Sequence, residues 1–530
     1  MWSRRLGFWL VLVALPGMAL AQPVPPERVL RIVPNADLQT LDPINTTAGV
    51  VQSHAQLVYD QLFGRDAEQR PQPQMVDTYS VSADALVWRF TLRNGLTFHD
   101  GAPVTANDVV ASLRRWCARD PHGRQIMAIT VSLTADLDGR TVIWTLNRPY
   151  GLMLDALSKP SGNMPAIMPA RIAATDPFTA IRSPTGSGPF IFVDEEWVSG
   201  SRVVYRRNPN YVPRGEPASG TAGGKVAQVD RIEWVTIADA QTAALALIQG
   251  ELDYIESPGV DFLPMLDRHG MQIVRTNLLG AQGMIRMNHL HPPFSDIRAR
   301  QALLLLVDQE EILQATFPDP ALYQVCHAFF VCGSPQDTQA GVPADLGTQA
   351  ARQRARELLR ESGYDGRPIV IMDPTDSHLI HAATLILAQQ ARSVGFRTDV
   401  QAMDFASMVS RRANRRPPSE GGWDILLTYW DGLSASDPVG NVPMQASCER
   451  AWPGWPCDAE HQALIDAFPY AATPAERRRV LEALHVSAYR LVPYVPYGQW
   501  YLPSVVSPRI SGVLAMPGVI VPWNIRKAAR

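Results

Sequence analysis

The sequence predicts a protein of mixed helix and strand, of class α/β or α+β, and three observations carry that expectation. After Gln349 the patterns alternate: a helix over 350–361 closed by Gly363, a strand over 369–372, a helix over 380–394 closed by Gly395, and a strand over 397–402. Residues 86–116 read without a break as strand, turn, strand, turn and capped helix. The chain has 530 residues, 46% of them hydrophobic, enough apolar side chains for two or three cores.

From the amino end, a short apolar strand over 28–34 leads into the turn Thr40-Leu-Asp-Pro43, and 48–64 has helical periodicity ending at Gly64. In the next block Val87, Arg89, Thr91 and Arg93 alternate with Trp88, Phe90 and Leu92, the period of a half-buried strand. Asn94-Gly95 supplies a tight turn, a second strand carries Leu96 and Phe98, and Asp100-Gly101 turns again. Thr105 followed by Asp108 forms a capping pair before Val109, Val110, Leu113 and Trp116 at helical spacing.

Further on, Pro184-Thr-Gly-Ser-Gly-Pro189 fixes a sharp backbone path before strands over 190–194 and 203–205. A phosphate loop is the alternative reading, but the Gly-Lys-Ser/Thr ending is missing. A surface loop over 213–225 precedes a strand over 231–237 and an apolar helix over 240–249, which turns at Gly250-Glu-Leu-Asp253 into another strand. Trp423 to Tyr429 reads as a strand and 474–489 as a helix. The prolines of 491–503, LVPYVPYGQWYLP, predict an edge strand or a crossing between lobes.

Composition narrows the function. Arg4 and Arg5, the apolar stretch 8–15 and Ala19-Leu20-Ala21 read as a secretory signal over 1–21, with mature protein from about Gln22. No cysteine follows the apolar stretch, so no lipid anchor is expected, and the destination is a periplasm. A net charge of -3 lacks the concentrated basic face that nucleic acid requires. The clusters Arg411-Arg412 with Arg415-Arg416 and Arg477 to Arg479 read as solvated helix faces. Five cysteines in an exported chain predict two local disulfides, Cys326-Cys332 and Cys448-Cys457, with Cys117 left over; zinc is the competing reading, against which their spacings argue.

There is no Gly-x-Ser-x-Gly, no His-Glu-x-x-His and no Cys-x-x-Cys. The pairs His378 with His381 and His289 with His291 could each meet one metal, but nothing nearby completes a ligand set, and no metal site is assigned. His99 reads as structural.

The order of these segments resembles a known family. TLDP at 40–43, VYDQLF at 58–63, the 86–116 block, PTGSGPF, the helix followed by GELDY, and 288–312 with its PPF and IRARQAL are similar to the peptide and nickel class, family 5, of periplasmic solute-binding proteins of ABC importers. The resemblance covers most of the chain and includes dipeptide- and oligopeptide-binding members. It implies a two-lobed α/β fold of the type II, cluster C kind with an extra subdomain. The first lobe would be discontinuous, over 22–48, 182–279 and 499–530; 49–181 would form the subdomain and 280–498 the second lobe.

The implied function is capture of a small peptide-like or other polar solute between the lobes and delivery to an inner-membrane ABC permease, by a monomer without cofactor or catalysis. A metal- or haem-binding member of the family, a secreted hydrolase, or presentation of ligand to a chemoreceptor are the alternatives. Carried over by position, the ligand-facing residues are Thr47 and Gly49 after the LDP turn, Phe405 and Arg412 seven positions later, and Tyr429, Trp430 and Asp431. Asp42 and Pro43 read as turn makers. Core packing is the plain alternative for Phe405 and Trp430, and a solvated face for Arg412. Peptide-binding members place an aspartate for the ligand's α-amino group nine residues after the position of Asp424; here that residue is Leu433, with Asp431 or Asp437 as substitutes. An unpartnered buried ammonium is costly, so a solute without a free amine at that end is expected.

Overall fold

The structure, a computed structural model, describes residues 28–471 and 473–528. The signal over 1–21 lies outside the described residues.

Two mixed sheets form the centres of two lobes. The seven-stranded sheet runs Gln272–Val274, Ser504–Val506, Tyr254–Ile255, Val29–Val33, Arg231–Val235, Arg202–Arg207, Phe190–Phe192, with Val29–Val33 parallel to both neighbours and the other pairs antiparallel. Its strands come from the beginning, middle and end of the chain. The six-stranded sheet runs Tyr323–Gln324, Val495–Trp500, Ala281–Met287, Ile425–Asp431, Ile369–Pro374, Thr398–Met403. Here the helices predicted after Gln349 form as Gln349–Glu361 and His378–Val394, and the latter makes the crossover between parallel strands Ile369–Pro374 and Thr398–Met403.

A separate four-stranded antiparallel sheet, Val76–Val81, Val87–Leu92, Thr141–Leu146, Thr130–Ala135, is covered by helix Ala106–Cys117. The helix starts at the expected capping box of Thr105 and Asp108 and buries Val109, Leu113 and Trp116. The second strand expected at Leu96 and Phe98 is only a single bridge, Thr97 to Pro103, although both side chains are buried. Two turns four residues apart leave no length for a ladder.

Helix Gly49–Val58, expected in the subdomain over 49–181, packs its Val50, Val51, Ala55, Leu57 and Val58 into the apolar cluster of the seven-stranded sheet. The four-stranded sheet's own cluster starts in earnest at Leu62 and Phe63. The glycines of 184–189 explain this seat: a Cβ on Gly186 would stand 1.9 Å from the Val58 carbonyl oxygen, and on Gly188 2.5 Å from that of Leu57. His99 clasps the same segment, its Nε2 3.1 Å from the Gly188 carbonyl, with burial pushing the imidazole down to about 4.

Val495–Trp500 is an inner strand, not an edge, and extends two residues past the expected end of the second lobe at Gly498 before crossing to Ser504–Val506 in the other lobe. Pro496 is tolerated because the ladder slips between Gly283 and Met284 where it pairs. A second crossing runs alongside through Asn277, whose Oδ1 accepts from Leu279 N and Gly280 N at 3.2 and 2.9 Å. Gly280 has φ +60, and a Cβ there would lie 2.1 Å from the Trp500 carbonyl oxygen, so the two crossings touch.

Candidate functional site

The turn after the first strand is held by charge. Asp42, read as a turn maker, is fully buried, accepts both Arg115 guanidinium nitrogens at 3.1 and 2.7 Å, and takes the amides of Ile44 and Ile181. This anchors the chain so that Thr47 is exposed and Gly49 opens its helix. A Cβ on Gly49 would come 3.4 Å from the Gly518 carbonyl oxygen; one on Gly518 would come 3.0 Å from Ser161 Oγ and 3.5 Å from Asp431 Oδ1. Gly49 and Asp431, expected on opposite walls, therefore meet across Gly518. Gly518 and Ser161 are additions that no local pattern marks.

On the second lobe, Tyr429 and Trp430 alternate in strand Ile425–Asp431 and so serve different faces. Tyr429, 43% exposed, sits edge-on to Trp500 with centroids 5.6 Å apart. Trp430 sits edge-on to Trp452 at 6.1 Å. The Trp452 ring also receives the guanidinium of Arg412 at 5.0 Å and that of Arg286 at 5.2 Å. Burial pushes the Arg412 guanidinium down, and among the described residues no carboxylate forms a salt bridge with it. Phe405 begins helix Phe405–Arg411, capped by Asp404, and remains 39% exposed. Trp430 and Arg412 are thus brought together, while Tyr429 faces away.

Trp452, missed in the sequence, is placed by the loop that the Cys448–Cys457 pair closes, with sulfurs 1.95 Å apart. Arg286 fastens this loop by donating to the carbonyls of Pro443, Trp452, Pro453 and Pro493 at 2.7–2.9 Å. The other expected pair, Cys326–Cys332, is also at bonding distance, 2.13 Å, and Cys117 is a buried free thiol.

Around Leu433 the two candidate aspartates are already engaged. Asp431 caps helix Gly432–Ala435, its Oδ1 accepting from Leu433 N and Ser434 N at 3.1 Å each. Burial raises its carboxyl pKa, opposed by those bonds and by Lys159. Leu433 itself packs on an apolar cluster that runs from the second lobe into the first. Asp437 Oδ2 lies 2.7 Å from His122 Nε2, on a helix of the four-stranded unit. Burial alone would raise Asp437, but His122 and Lys159 outweigh it and hold the carboxyl well below the usual range.

The histidine pairs do not assemble metal sites. His381 Nδ1 is taken by Asp373 at 2.9 Å while His378 is exposed; His289 is half-buried near Arg300 and Arg286, and His291 Nε2 meets the Arg415 carbonyl at 2.8 Å. No group of three or more His, Cys, Asp or Glu is gathered at metal-binding range among the described residues. The arginine cluster at 411–416 is less solvated than expected: Arg411 donates to the carbonyls of Gly421 and Gly422, and Arg415 lies over the Trp455 ring at 5.1 Å. A depression of about 390 Å³ lies elsewhere, lined by Arg93, Pro213, Arg214, Gly215 and Glu216, and joins none of these residues.

Known proteins resemble the chain along nearly all its length. Residues 70–452 match the family described as bacterial extracellular solute-binding proteins, family 5, middle. A probable peptide ABC transporter periplasmic-binding protein, y4tO, of Sinorhizobium fredii is 35% identical over 500 residues, 93% of this chain and 92% of that protein. The glutathione-binding protein GsiB of Escherichia coli K12 is 25% identical over 91% of each chain. Among solved structures, NikZ of Campylobacter jejuni with Ni(L-His) superposes with a TM-score of 0.77 at 19% identity, covering 95% of this chain and 100% of that one. A dipeptide-binding protein of Pseudoalteromonas with Met-Leu gives 0.76 at 18%, covering 94% and 100%.

Proposed function

The chain belongs to family 5 of the bacterial extracellular solute-binding proteins, and from that premise we propose which solute this member takes and where it sits. Membership makes it the solute-binding component of an ABC import system and not an enzyme. In our reading the solute is small, peptide-like or otherwise polar, and enters between the Thr47–Gly49 and Ser161–Gly518 side of the first lobe and the Trp430, Trp452 and Arg412 side of the second. Phe405 borders the opening. Export by cleavage after residue 21, without a lipid anchor, and function as a monomer that docks on the permease complete the proposal.

One observation carries the choice of solute. Leu433 packs its apolar side chain on the cluster shared by the two lobes, while Asp431 and Asp437 have internal partners. Among the described residues, Asp437 could neutralise a ligand ammonium only by giving up His122, and Asp431 is already committed through Oδ1 to capping its helix. Removing an ammonium from water without a counter-charge costs several kcal/mol, of order the whole gain from a small ligand. The preferred solute therefore has a blocked amine or none at this end, and Arg412 supplies a cation for a carboxylate further along.

Calorimetry with matched free and amino-acetylated dipeptides tests this. Tighter binding of the acetylated compound, by tenfold or more, is expected. Strong binding of the free dipeptide that Asp431→Asn abolishes would show the ammonium seated on Asp431 and overturn the reading.

A further inference from the structure

The first lobe's added unit meets the second lobe along a seam that starts beside Leu433. Gly162 marks its near part: a Cβ there would lie 3.8 Å from Ser434 Oγ. In its other part Gly151 N donates to the Pro469 carbonyl at 2.7 Å, Tyr150 stands edge-on to Tyr470 at 5.7 Å, and the Arg148 guanidinium lies 3.8 Å from the Tyr470 ring centroid. His122 spans the interval, between Asp437 and the Tyr150 hydroxyl, so the two parts are continuous.

The approach at Gly151 depends on its missing side chain, since a Cβ would stand 2.9 Å from an Arg477 guanidinium nitrogen and 3.0 Å from the Ala471 carbonyl oxygen. Leu152, next in sequence, packs both on the added unit's own apolar cluster and on the cluster shared by the two lobes. Backbone, rings and apolar side chains therefore all bridge the lobes within residues 148–152.

The other end of the proposed solute site has no such cover. Among the described residues, Phe405, Arg412, Trp430 and Trp452 make their hydrogen bonds and ring contacts within the second lobe, and Phe405 is 39% exposed. An extended chain lies about 5 Å from each backbone that flanks it. At Gly151 and Pro469 the two backbones are joined directly, with no room for a chain between them. A solute that continued past Leu433 would have to break this bond and part Tyr470 from Tyr150 and Arg148, whereas one that continued past Arg412 and Phe405 would meet solvent.

We propose that the seam is an end stop, which closes the cleft on the Leu433 side and leaves it open on the Phe405 side, so that the protein takes solutes lengthened at one end only. The solute class is then a compound with a small group or none at the sealed end and a chain of variable length at the open end. The proposal rests on the reading that the solute lies between these two lobes. It does not rest on the fate of the solute's amine, since Arg148, Tyr150, Gly151 and Tyr470 play no part in that argument.

Calorimetry on the full mature chain tests it with two series built on one amino-acetylated dipeptide. The first lengthens the acyl group from acetyl through butyryl to octanoyl; the second adds residues singly at the carboxyl end. Affinity should fall about tenfold or more along the acyl series, as the seam fails to close, and by no more than about threefold along the carboxyl series. Arg148→Ala combined with Tyr470→Ala should shrink the acyl penalty to about the carboxyl one, and thermal unfolding separates loss of the seam from loss of fold. Equal tolerance of both series by the wild type, or a penalty that the double variant leaves unchanged, overturns the stop. A loss confined to the carboxyl series and relieved by the double variant supports the stop and instead overturns the placing of the amine end at Leu433. If neither series binds, the peptide-like reading fails and the stop is judged without solute: the Gly151 amide should exchange about tenfold more slowly in the wild type than in the double variant, and equal rates overturn it.

Discussion

In the first lobe and its added unit buried cations face carboxylates, whereas in the second lobe they face backbone carbonyls. Arg115 with Asp42 and Lys225 with Asp60 are closed ion pairs, each partner no more than 2% exposed. Asp60 also accepts the Tyr211 hydroxyl, and Lys225 lies over Trp523, so each pair draws together segments more than 70 residues apart in sequence. Arg286 and Arg300 have no such partner. Arg286 serves four carbonyls, and Arg300 the carbonyls of Leu491, Phe294 and Ser295. Burial pushes these guanidiniums down to about 9 and about 10, still above neutral pH, so both remain cations there. A pair fixes two segments and can be removed as a unit; a lone arginine fixes a loop and cannot.

That contrast can be broken at its strongest point. Asp42→Ala strands Arg115 as a buried charge and should cost about 3–5 kcal/mol, seen as loss of the first urea transition followed by tryptophan fluorescence. The double variant Asp42→Leu with Arg115→Met should recover much of that loss, because the desolvation cost of both ions disappears together. A double variant as unstable as the sum of its singles would show that the pair is not a separable unit.

Arg286→Met should cost less, about 2–3 kcal/mol, since it strands no charge, only carbonyls of which some can turn to water. Its effect should be local: amide exchange should accelerate in residues 443–454 while the first lobe is unchanged. Loss of solute affinity with intact stability of the first lobe would follow, as Trp452 leaves Trp430. Uniform acceleration across the chain would contradict the loop-pinning role.

The smallest expected effect sharpens the rule in the first lobe. Glu256, at the end of strand Tyr254–Ile255, has no cation partner among the described residues; its carboxylate oxygens accept from Asn35 N and Nδ2. Burial raises its carboxyl pKa to about 7 against those bonds. The folded state then holds its proton more tightly than the unfolded chain between about pH 4.5 and 7, so stability contributed by this group falls as the pH rises through that window. Glu256→Gln should remove that slope from the urea midpoint measured against pH. An unchanged slope would place its cause elsewhere.

What could be read from residue order was what neighbours dictate. The helices expected over 350–361 and 380–394 formed as Gln349–Glu361 and His378–Val394, and the Thr105 and Asp108 capping box and the apolar helix Ala240–Gln249 before Gly250 formed where the pattern placed them, because propensity and capping act within a few residues. Both cysteine pairs were legible for the same reason, lying six and nine residues apart. The family resemblance added the two lobes, whose discontinuous sheet no local period encodes. The site is another matter. Trp452 reaches Trp430 only because Arg286 binds carbonyls, and a carbonyl belongs to every residue and so leaves no mark in the sequence. His122 and Asp437 lie 315 residues apart, and Gly49 meets Asp431 through Gly518 near the far end of the chain. Their chemistry arises from shared burial, and burial is a property of the assembled lobes, not of any one segment.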